Sequence, residues 1–120
     1  MAEHNKFGIE GEEIACKLLR GKGYQITERN WRYGKLELDI VARIKDTLVI
    51  VEVKTRANDF HGDPEDFVTR SKQRHIIKAA NEYIVQKDVN LETRFDVIAV
   101  LVDGKETKVK HLERAFYPLI

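Results

Sequence analysis

Two apolar segments joined by a short polar connection constrain the fold of this chain more than any other feature. Residues 47–54 (TLVIVEVK) are almost continuously β-branched or aliphatic, as expected of a strand that is covered on both faces. The preceding residues 36–42 (LELDIVA) alternate between apolar and polar side chains and lead to Thr47 through Lys45 and Asp46. This pattern predicts a β-hairpin.

The register of such a hairpin can be counted from its turn. If the turn is symmetric about residues 45–46, Asp39 lies opposite Glu52, and Glu37 lies opposite Lys54. Directly opposed side chains have Cβ atoms about 5 Å apart, and like charges in these positions destabilise a sheet. The two acids Asp39 and Glu52 therefore require a positive group between them.

Two interpretations fit this arrangement. Two carboxylates beside one ammonium group suit a hard divalent cation such as Mg²⁺ or Mn²⁺, which prefers oxygen ligands. Lys54 is then left to act on water or phosphate, and the hypothesis is a metal-dependent phosphodiesterase site. The alternative is an edge-strand ion pair between Glu37 and Lys54, worth about 0 to 1 kcal/mol. Spacing alone does not decide, because acid-x-Lys also occurs at residues 103–105 and 106–108 in a predicted turn.

Size and composition indicate one cytoplasmic domain. The 120 residues fall within the range of a single compact domain, so residues 1–120 are expected to fold together. No apolar run is long enough to span a bilayer, and no apolar signal segment follows Met1, so no membrane partner is expected. The single cysteine, Cys16, excludes an intrachain disulfide and a cysteine-based zinc site. A net charge of +1 gives no general argument for nucleic-acid binding.

A first helix is predicted from about residue 5 to residue 19, where apolar and small residues recur with a helical period. Glu12 falls within this inward-facing stripe and is flanked by glycines that permit close approach. Such a carboxylate either caps backbone groups or adds to a polar site. With an acidic hairpin predicted nearby, we favour the second interpretation.

A second helix carries the main group of basic residues. Asp63 at the N-cap and Pro64 at the first helical position predict its start, and the periodicity continues to about Gln86. Its basic face is the best candidate for contacts with a phosphate backbone, although a solvated helix face explains such a cluster as often. The candidate nucleic-acid-binding residues are Arg70, Lys72, Gln73, Arg74 and Lys78 in this helix, and Arg32 and Arg56 beside the acidic hairpin.

The remaining strands complete a mixed sheet. An extended run leads from Tyr24 to Tyr33, and residues 94–102 and 107–112 form a second hairpin. The order helix, three strands, helix, two strands predicts an α/β fold with a five-stranded mixed sheet flanked by helices. The fourth strand joins in parallel through a right-handed crossover. Asp96 is expected to pair with Arg94 or with a basic group of the N-terminal segment, and it is not placed in the metal site.

Six short motifs, spread over nearly the whole chain, resemble those of one known family. They are residues 8–12 (GIEGE), 28–32 (ERNWR), 37–42 (ELDIVA), 51–56 (VEVKTR), Lys72-Gln73 with Tyr83, and 94–97 (RFDV). These motifs resemble the YraN family of small bacterial proteins. That family is grouped with the restriction-endonuclease-like PD-(D/E)XK superfamily and is similar to archaeal Holliday-junction resolvases.

The resemblance implies a role for each matching residue of the site. Asp39 and Glu52 become metal ligands, Lys54 the catalytic lysine, and Glu12 the acid of the first helix. The backbone carbonyl of Val53 completes the metal site. The chain departs from the family pattern at two positions: Leu38 replaces the proline before the first aspartate, and Leu36 stands where glycine is expected.

The same resemblance implies a function and its alternatives. It implies a restriction-endonuclease-like core and a nuclease that depends on Mg²⁺ or Mn²⁺. Such an enzyme hydrolyses phosphodiester bonds in structured or branched DNA, and a resolvase that acts on two strands is expected to be a homodimer. The alternative is a non-catalytic domain that keeps the fold and binds nucleic acid or a protein partner.

Overall fold

A computed structural model describes residues 2–57 and 68–118, with side chains from Gly8 onwards. The elements are α1 (Ala2–Gly21), β1 (Gln25–Tyr33), β2 (Leu36–Ile44), β3 (Thr47–Ala57), α2 (Arg70–Lys87), β4 (Glu92–Asp103) and β5 (Glu106–Phe116). The predicted order of helix, three strands, helix and two strands is confirmed. Neither α1 nor α2 is long and apolar enough to cross a membrane.

The five strands form one mixed sheet in the order β1-β2-β3-β4-β5. β3 and β4 are parallel, and the other neighbouring strands are antiparallel. In the first hairpin, Ile44 pairs with Thr47 and Val41 pairs with Ile50, which is the register expected for a turn at residues 45–46. The α/β architecture is that predicted for a restriction-endonuclease-like core.

The core has two layers because β3 is covered on both faces. Val49 and Val51 pack with α1 on one side of the sheet, and Leu48 and Ile50 pack with α2 on the other. Cys16 is fully buried in the α1 layer, which agrees with a structural thiol. A strand buried on both faces explains the continuous β-branched and aliphatic run in the sequence.

The second helix was predicted to begin after an N-cap at Asp63 and to run to about Gln86. This was wrong, because the helix that ends at Lys87 begins at Arg70. Thr69 is extended (φ −68°, ψ 163°), and its side chain accepts a hydrogen bond from the backbone N–H of Lys72 at 3.1 Å. This N-cap makes Arg70 the first helical residue, because the hydroxyl satisfies a backbone donor that has no partner within the helix. The cap predicted at Asp63 lies outside the described residues.

Candidate active site

The two strands of the acidic hairpin separate at Asp39. The ladder between β2 and β3 ends at the pair Ile40 and Val51, one residue before the two acids. Asp39 Oδ2 accepts a hydrogen bond from the backbone N–H of Val53 at 2.9 Å, so its carboxylate replaces a backbone acceptor of β2. The alternation of β2 also breaks here, because Leu38 packs on the α2 side and Ile40 on the α1 side. The carboxylate of Asp39 is therefore turned towards β3.

The structure brings Asp39 and Glu52 together, as the register count predicted. Glu52 is 5% exposed, and its negative charge acts on the neighbouring carboxyl group of Asp39. Burial, followed by the charge of Glu52, raises the pKa of Asp39 to about 8, although the N–H of Val53 opposes the shift. The raised pKa favours the protonated form of Asp39 at neutral pH.

Two lysines approach the same oxygen of the acid pair. Lys54 Nζ lies 3.4 Å from Glu52 Oε2, and Lys72 Nζ lies 3.7 Å from it. The alternative ion pair between Glu37 and Lys54 was wrong, because β3 is an interior strand and Glu37 pairs with Arg32 at 3.5 Å instead. The positive charge beside Glu52 comes from both β3 and α2.

Lys72 faces the acid pair because of its position on α2. It stands four residues before Ile76, which begins the buried row that continues with Ala80 and Tyr83. Residues spaced by three or four lie on one face of a helix. The sequence assigned Lys72 to the nucleic-acid-binding face, whereas the structure places it against Glu52. Its spacing from the apolar row was the signal that could have shown this.

Glu12 completes the site from α1. It lines a pocket of about 190 Å³, whose described walls are formed by Gly8, Glu12, Asp39, Val53, Lys54, Thr55 and Arg56. Burial, followed by the charge of Asp39, raises the pKa of Glu12. Its Oε1 atom is buried and has no hydrogen-bond partner. Glu12 therefore adds a second carboxyl group to the pocket, beside that of Asp39, as its place in the inward-facing stripe predicted.

Gly11 allows α1 to approach β3 closely enough for this contact. A Cβ atom added at Gly11 would lie 2.0 Å from Thr55 Oγ1 and 3.3 Å from Thr55 Cβ. Any side chain at this position would push α1 away from β3 and carry Glu12 with it. The glycine next to Glu12 is thus part of the construction of the site.

We expect Gly11→Ala to lower the free energy of unfolding by about 1 to 3 kcal/mol because it overpacks this contact. Adding Thr55→Ala removes the clashing hydroxyl and should recover most of the loss. Gly8→Ala is the matched control, since a Cβ at Gly8 meets nothing within 4 Å; it should stabilise the helix by up to about 1 kcal/mol. Urea denaturation measures all three variants. Equal stability of the two single variants would contradict the close contact.

The donor set of the pocket fits a hard divalent cation. Glu12 and Asp39 line the pocket, and Glu52 lies next to Asp39; burial raises the pKa of Glu12 and of Asp39 because it disfavours their ionised forms. The unpartnered Oε1 of Glu12 is a further oxygen available to a cation or its water. Mg²⁺ and Mn²⁺ take oxygen ligands and usually retain several waters.

The predicted nucleic-acid-binding residues fall in three places. Arg56 lines the pocket and donates a hydrogen bond to the carbonyl of Thr55, whereas Arg32 is exposed on β1. Lys72, like Arg56, lies at the candidate active site, and the remaining four residues lie on α2 around a groove of about 540 Å³. The described lining of this groove, here called the α2 groove, is Arg70, Gln73, Arg74, Ile77, Lys78, Asn81 and Tyr117. Tyr117 had no signal in the sequence, because it reaches α2 only through the fold.

Asp96 forms a separate buried cluster on β4. Arg94 donates to both of its carboxylate oxygens, at 2.9 and 2.8 Å, and the backbone N–H of Arg114 donates at 3.1 Å. Lys22 donates to Nδ1 of His111, so the imidazole hydrogen lies on Nε2 and is donated to Asp96 at 2.7 Å. The predicted pairing of Asp96 with Arg94 is confirmed.

This cluster also resembles a metal site, but its charges are already satisfied. Asp96, His111 and Glu113 have potential ligand atoms within 4.8 Å of one another. The guanidinium of Arg94 lies among them, 3.3 Å from Glu113, and also donates to the hydroxyl of Tyr24. Because Arg94 supplies the positive charge, we interpret the cluster as a structural network.

The sequence matches the profile of the Uncharacterised protein family UPF0102 over residues 11–100, a range that includes Glu12 and the whole acidic hairpin. The chain belongs to this family. A UPF0102 protein of Flavobacterium psychrophilum is 50% identical over 117 residues, which cover 98% of each chain. A UPF0102 protein of Phocaeicola vulgatus is 49% identical over 120 residues, which cover 100% of this chain and 99% of the relative. The YraN-like family predicted from the motifs is thereby confirmed, and the names of these UPF0102 relatives state no reaction.

Proposed function

We propose that this protein is a metal-dependent nuclease of the restriction-endonuclease-like PD-(D/E)XK superfamily. It would hydrolyse phosphodiester bonds in structured or branched DNA, in the manner of a Holliday-junction resolvase. The observation that carries the proposal is the buried pair of Asp39 and Glu52 with Lys54 beside it, at the point where β2 and β3 separate. A phosphodiesterase needs this combination of metal-binding oxygens and a cation next to the reacting phosphate.

Asp39, Glu52 and the backbone carbonyl of Val53 would hold Mg²⁺ or Mn²⁺. When bound, the ion supplies Lewis acidity towards the phosphate and lowers the pKa of a coordinated water. Asp39 must release its proton to act as a ligand, so metal binding should be accompanied by proton release.

The remaining polar groups of the pocket have distinct tasks in this proposal. The ammonium group of Lys54 donates hydrogen bonds to a non-bridging phosphate oxygen and offsets the charge that develops there. Lys72 adds a second positive charge from α2 on the same side of Glu52. Glu12, with its free Oε1, accepts a hydrogen bond from water in the pocket and orients it. Arg56, at the wall of the pocket, contacts the adjacent phosphate.

The proposed substrate also determines the partners. DNA would contact the basic side chains of α2 and β1, which supply affinity that does not depend on sequence. Cleavage of two strands requires two such sites, so we propose a homodimer. We propose that the protein acts in the cytoplasm, because that is where a bacterial cell holds its DNA.

Cleavage assays test the proposal. Duplex, single-stranded, flap and four-way DNA are incubated with Mg²⁺ or Mn²⁺ and with wild-type protein, Asp39→Asn, Glu52→Gln or Lys54→Met. We expect the wild type to cleave at least one branched substrate, and Asp39→Asn and Glu52→Gln to fall to background. Loss of Lys54 should lower the rate by about 10²- to 10³-fold. Asp46→Asn is the matched control, because Asp46 is exposed in the turn of the same hairpin.

The results separate the proposal from its alternatives. Absence of metal-dependent cleavage, or an equal loss in Asp46→Asn, would overturn the nuclease. Salt-sensitive DNA binding that survives Asp39→Asn without any cleavage would identify a non-catalytic binding domain. No gel shift at low salt would favour a protein-interaction domain.

A further inference from the structure

The α2 groove has the size and lining of a ligand site. Its volume of about 540 Å³ falls within the range of small-molecule sites, about 300 to 1,000 Å³. This is more space than a single phosphate contact requires. The groove is therefore suited to a larger group that carries a phosphate.

One face of α2 provides the positive charge of the groove. Arg70, Arg74 and Lys78 follow one another at intervals of four residues, so they form a row along the helix with a rise of about 6 Å per step. The described lining contains no carboxylate that could neutralise this row. The groove thus favours an extended anion with repeated charges.

The apolar part of the groove has the chemistry of a base-stacking surface. Tyr117, which follows β5, is 62% exposed, and Ile77 lies between the basic side chains on α2. An exposed aromatic ring beside cations is the arrangement by which proteins bind single strands, since every base can stack on it. Asn81 offers an amide group to base edges, whereas the amide nitrogen of Gln73 already donates a hydrogen bond to the carbonyl of Val68 at 3.2 Å.

The shape of the α2 groove argues against binding of a duplex there. A helix that reads a duplex must project into the major groove, which is about 12 Å wide. Here, Tyr117 stands beside α2 and makes this face concave rather than projecting. A concave surface accepts a base only when that base is unpaired and turned out of the stack.

We propose that the α2 groove binds the unpaired nucleotides of a single strand, with a base stacked on Tyr117 and phosphates on Arg70, Arg74 and Lys78. The first turn of α2 serves both sites, because Lys72 approaches Glu52 while its neighbour Gln73 lines the groove. The inference rests on the proposed function in taking nucleic acid as the substrate, but it does not depend on cleavage. It specifies a substrate with a single-stranded segment next to the scissile bond.

Equilibrium binding in EDTA tests this inference, because no metal-dependent cleavage can then occur. Fluorescence anisotropy compares labelled oligo(dT), oligo(U) and a blunt duplex of equal length at about 50 mM salt. The Tyr117→Ala variant should bind the single strand about 5- to 100-fold more weakly. It should bind the duplex within about twofold of the wild type, and Tyr117→Phe should bind all three ligands normally. The ratio between oligo(dT) and oligo(U) distinguishes DNA from RNA.

Charge variants complete the design. Arg74→Ala should weaken binding of the single strand and reduce its salt slope by about 1, whereas Lys105→Ala, in the exposed turn between β4 and β5, should change neither the affinity nor the slope. An unchanged single-strand affinity in Tyr117→Ala, or an equal loss for the duplex, would overturn the inference. So would competition by oligo-glutamate as strong as that by oligo(dT), since this would identify an acidic peptide site.

These outcomes are distinct from those of the cleavage assays. A protein that binds single strands through Tyr117 but never cleaves DNA keeps this inference and loses the proposed nuclease. A protein that cleaves DNA while Tyr117→Ala binds and cleaves normally keeps the nuclease and loses this inference.

Discussion

At pH 8, Asp39→Asn is expected to be more stable than the wild-type protein. Burial and the charge of Glu52 raise the pKa of Asp39 to about 8 in the folded state, whereas that of an unfolded aspartate is about 3.9. Between these values the folded protein holds a proton that the unfolded chain has lost. The free energy of unfolding therefore falls as the pH rises, by about 1.4 kcal/mol per pH unit at most.

Asparagine should remove this dependence without changing the local geometry. Its side-chain oxygen can still accept the hydrogen bond from Val53, and its amide can donate to Glu52. Urea denaturation of Asp39→Asn, of the wild type and of the control Asp46→Asn at pH 4, 6 and 8 measures the effect. The gain of Asp39→Asn over wild type should be smallest near pH 4 and largest at pH 8. A gain that does not change with pH, or a variant that is less stable at pH 8, would contradict the raised pKa of Asp39.

Addition of Mg²⁺ or Mn²⁺ provides a second measurement of the same prediction. A cation that binds only the folded state raises its stability by mass action. The increase in melting temperature of the wild type should grow from pH 6 to pH 8, because the proton on Asp39 competes with the metal. Asp39→Asn should show little increase at any pH.

The second large effect is expected at Asp96. Replacing it by alanine leaves the guanidinium of Arg94, which is 13% exposed, without its main partner. It also removes the acceptor used by His111 and by the N–H of Arg114. Breaking a buried ion pair in this way costs about 3 to 5 kcal/mol. We therefore expect Asp96→Ala to lose that amount in urea denaturation at pH 7.

Two further variants distinguish a buried pair from ordinary loss of packing. Glu113→Gln changes a carboxylate that is 56% exposed in the same cluster, and it should cost less than about 1 kcal/mol. The double variant Asp96→Leu with Arg94→Met should lose less than the sum of the two single changes, because no unpaired charge remains. Additive losses would contradict a coupled pair.

The pH dependence of Asp96 has the opposite sign to that of Asp39. Burial alone would raise the pKa of Asp96, but hydrogen bonds from His111, Arg94 and Arg114 outweigh it and lower the pKa. Its stabilising effect is therefore complete above about pH 4 and is lost as the pH falls through the lower folded value. The fold supplies enough hydrogen-bond donors and positive charge to stabilise the carboxylate of Asp96, but not that of Asp39. A carboxyl group that the fold leaves poorly compensated is the kind of feature expected at a functional site.

Much of the site could be predicted because it depends on local spacing. The two-residue turn at residues 45–46 set the register as far as the pair Ile40 and Val51, and Asp39 and Glu52 are the next residues on the two strands. Helical periodicity likewise determined that Glu12 would face inwards. These relations follow from backbone geometry over short stretches of chain, so they hold wherever the elements pack.

Other features were decided only by the tertiary structure. How distant segments pack together decided that Lys72 contacts Glu52 and that Tyr117 lies beside α2. A single N-cap decided that α2 begins at Arg70. The raised pKa of Asp39 likewise depends on burial, because an aspartate in water is ionised at neutral pH. The sequence by itself determined which acids meet. The tertiary structure decided how deeply they are buried and which cations surround them, because desolvation and charge proximity arise only when the layers close over the sheet.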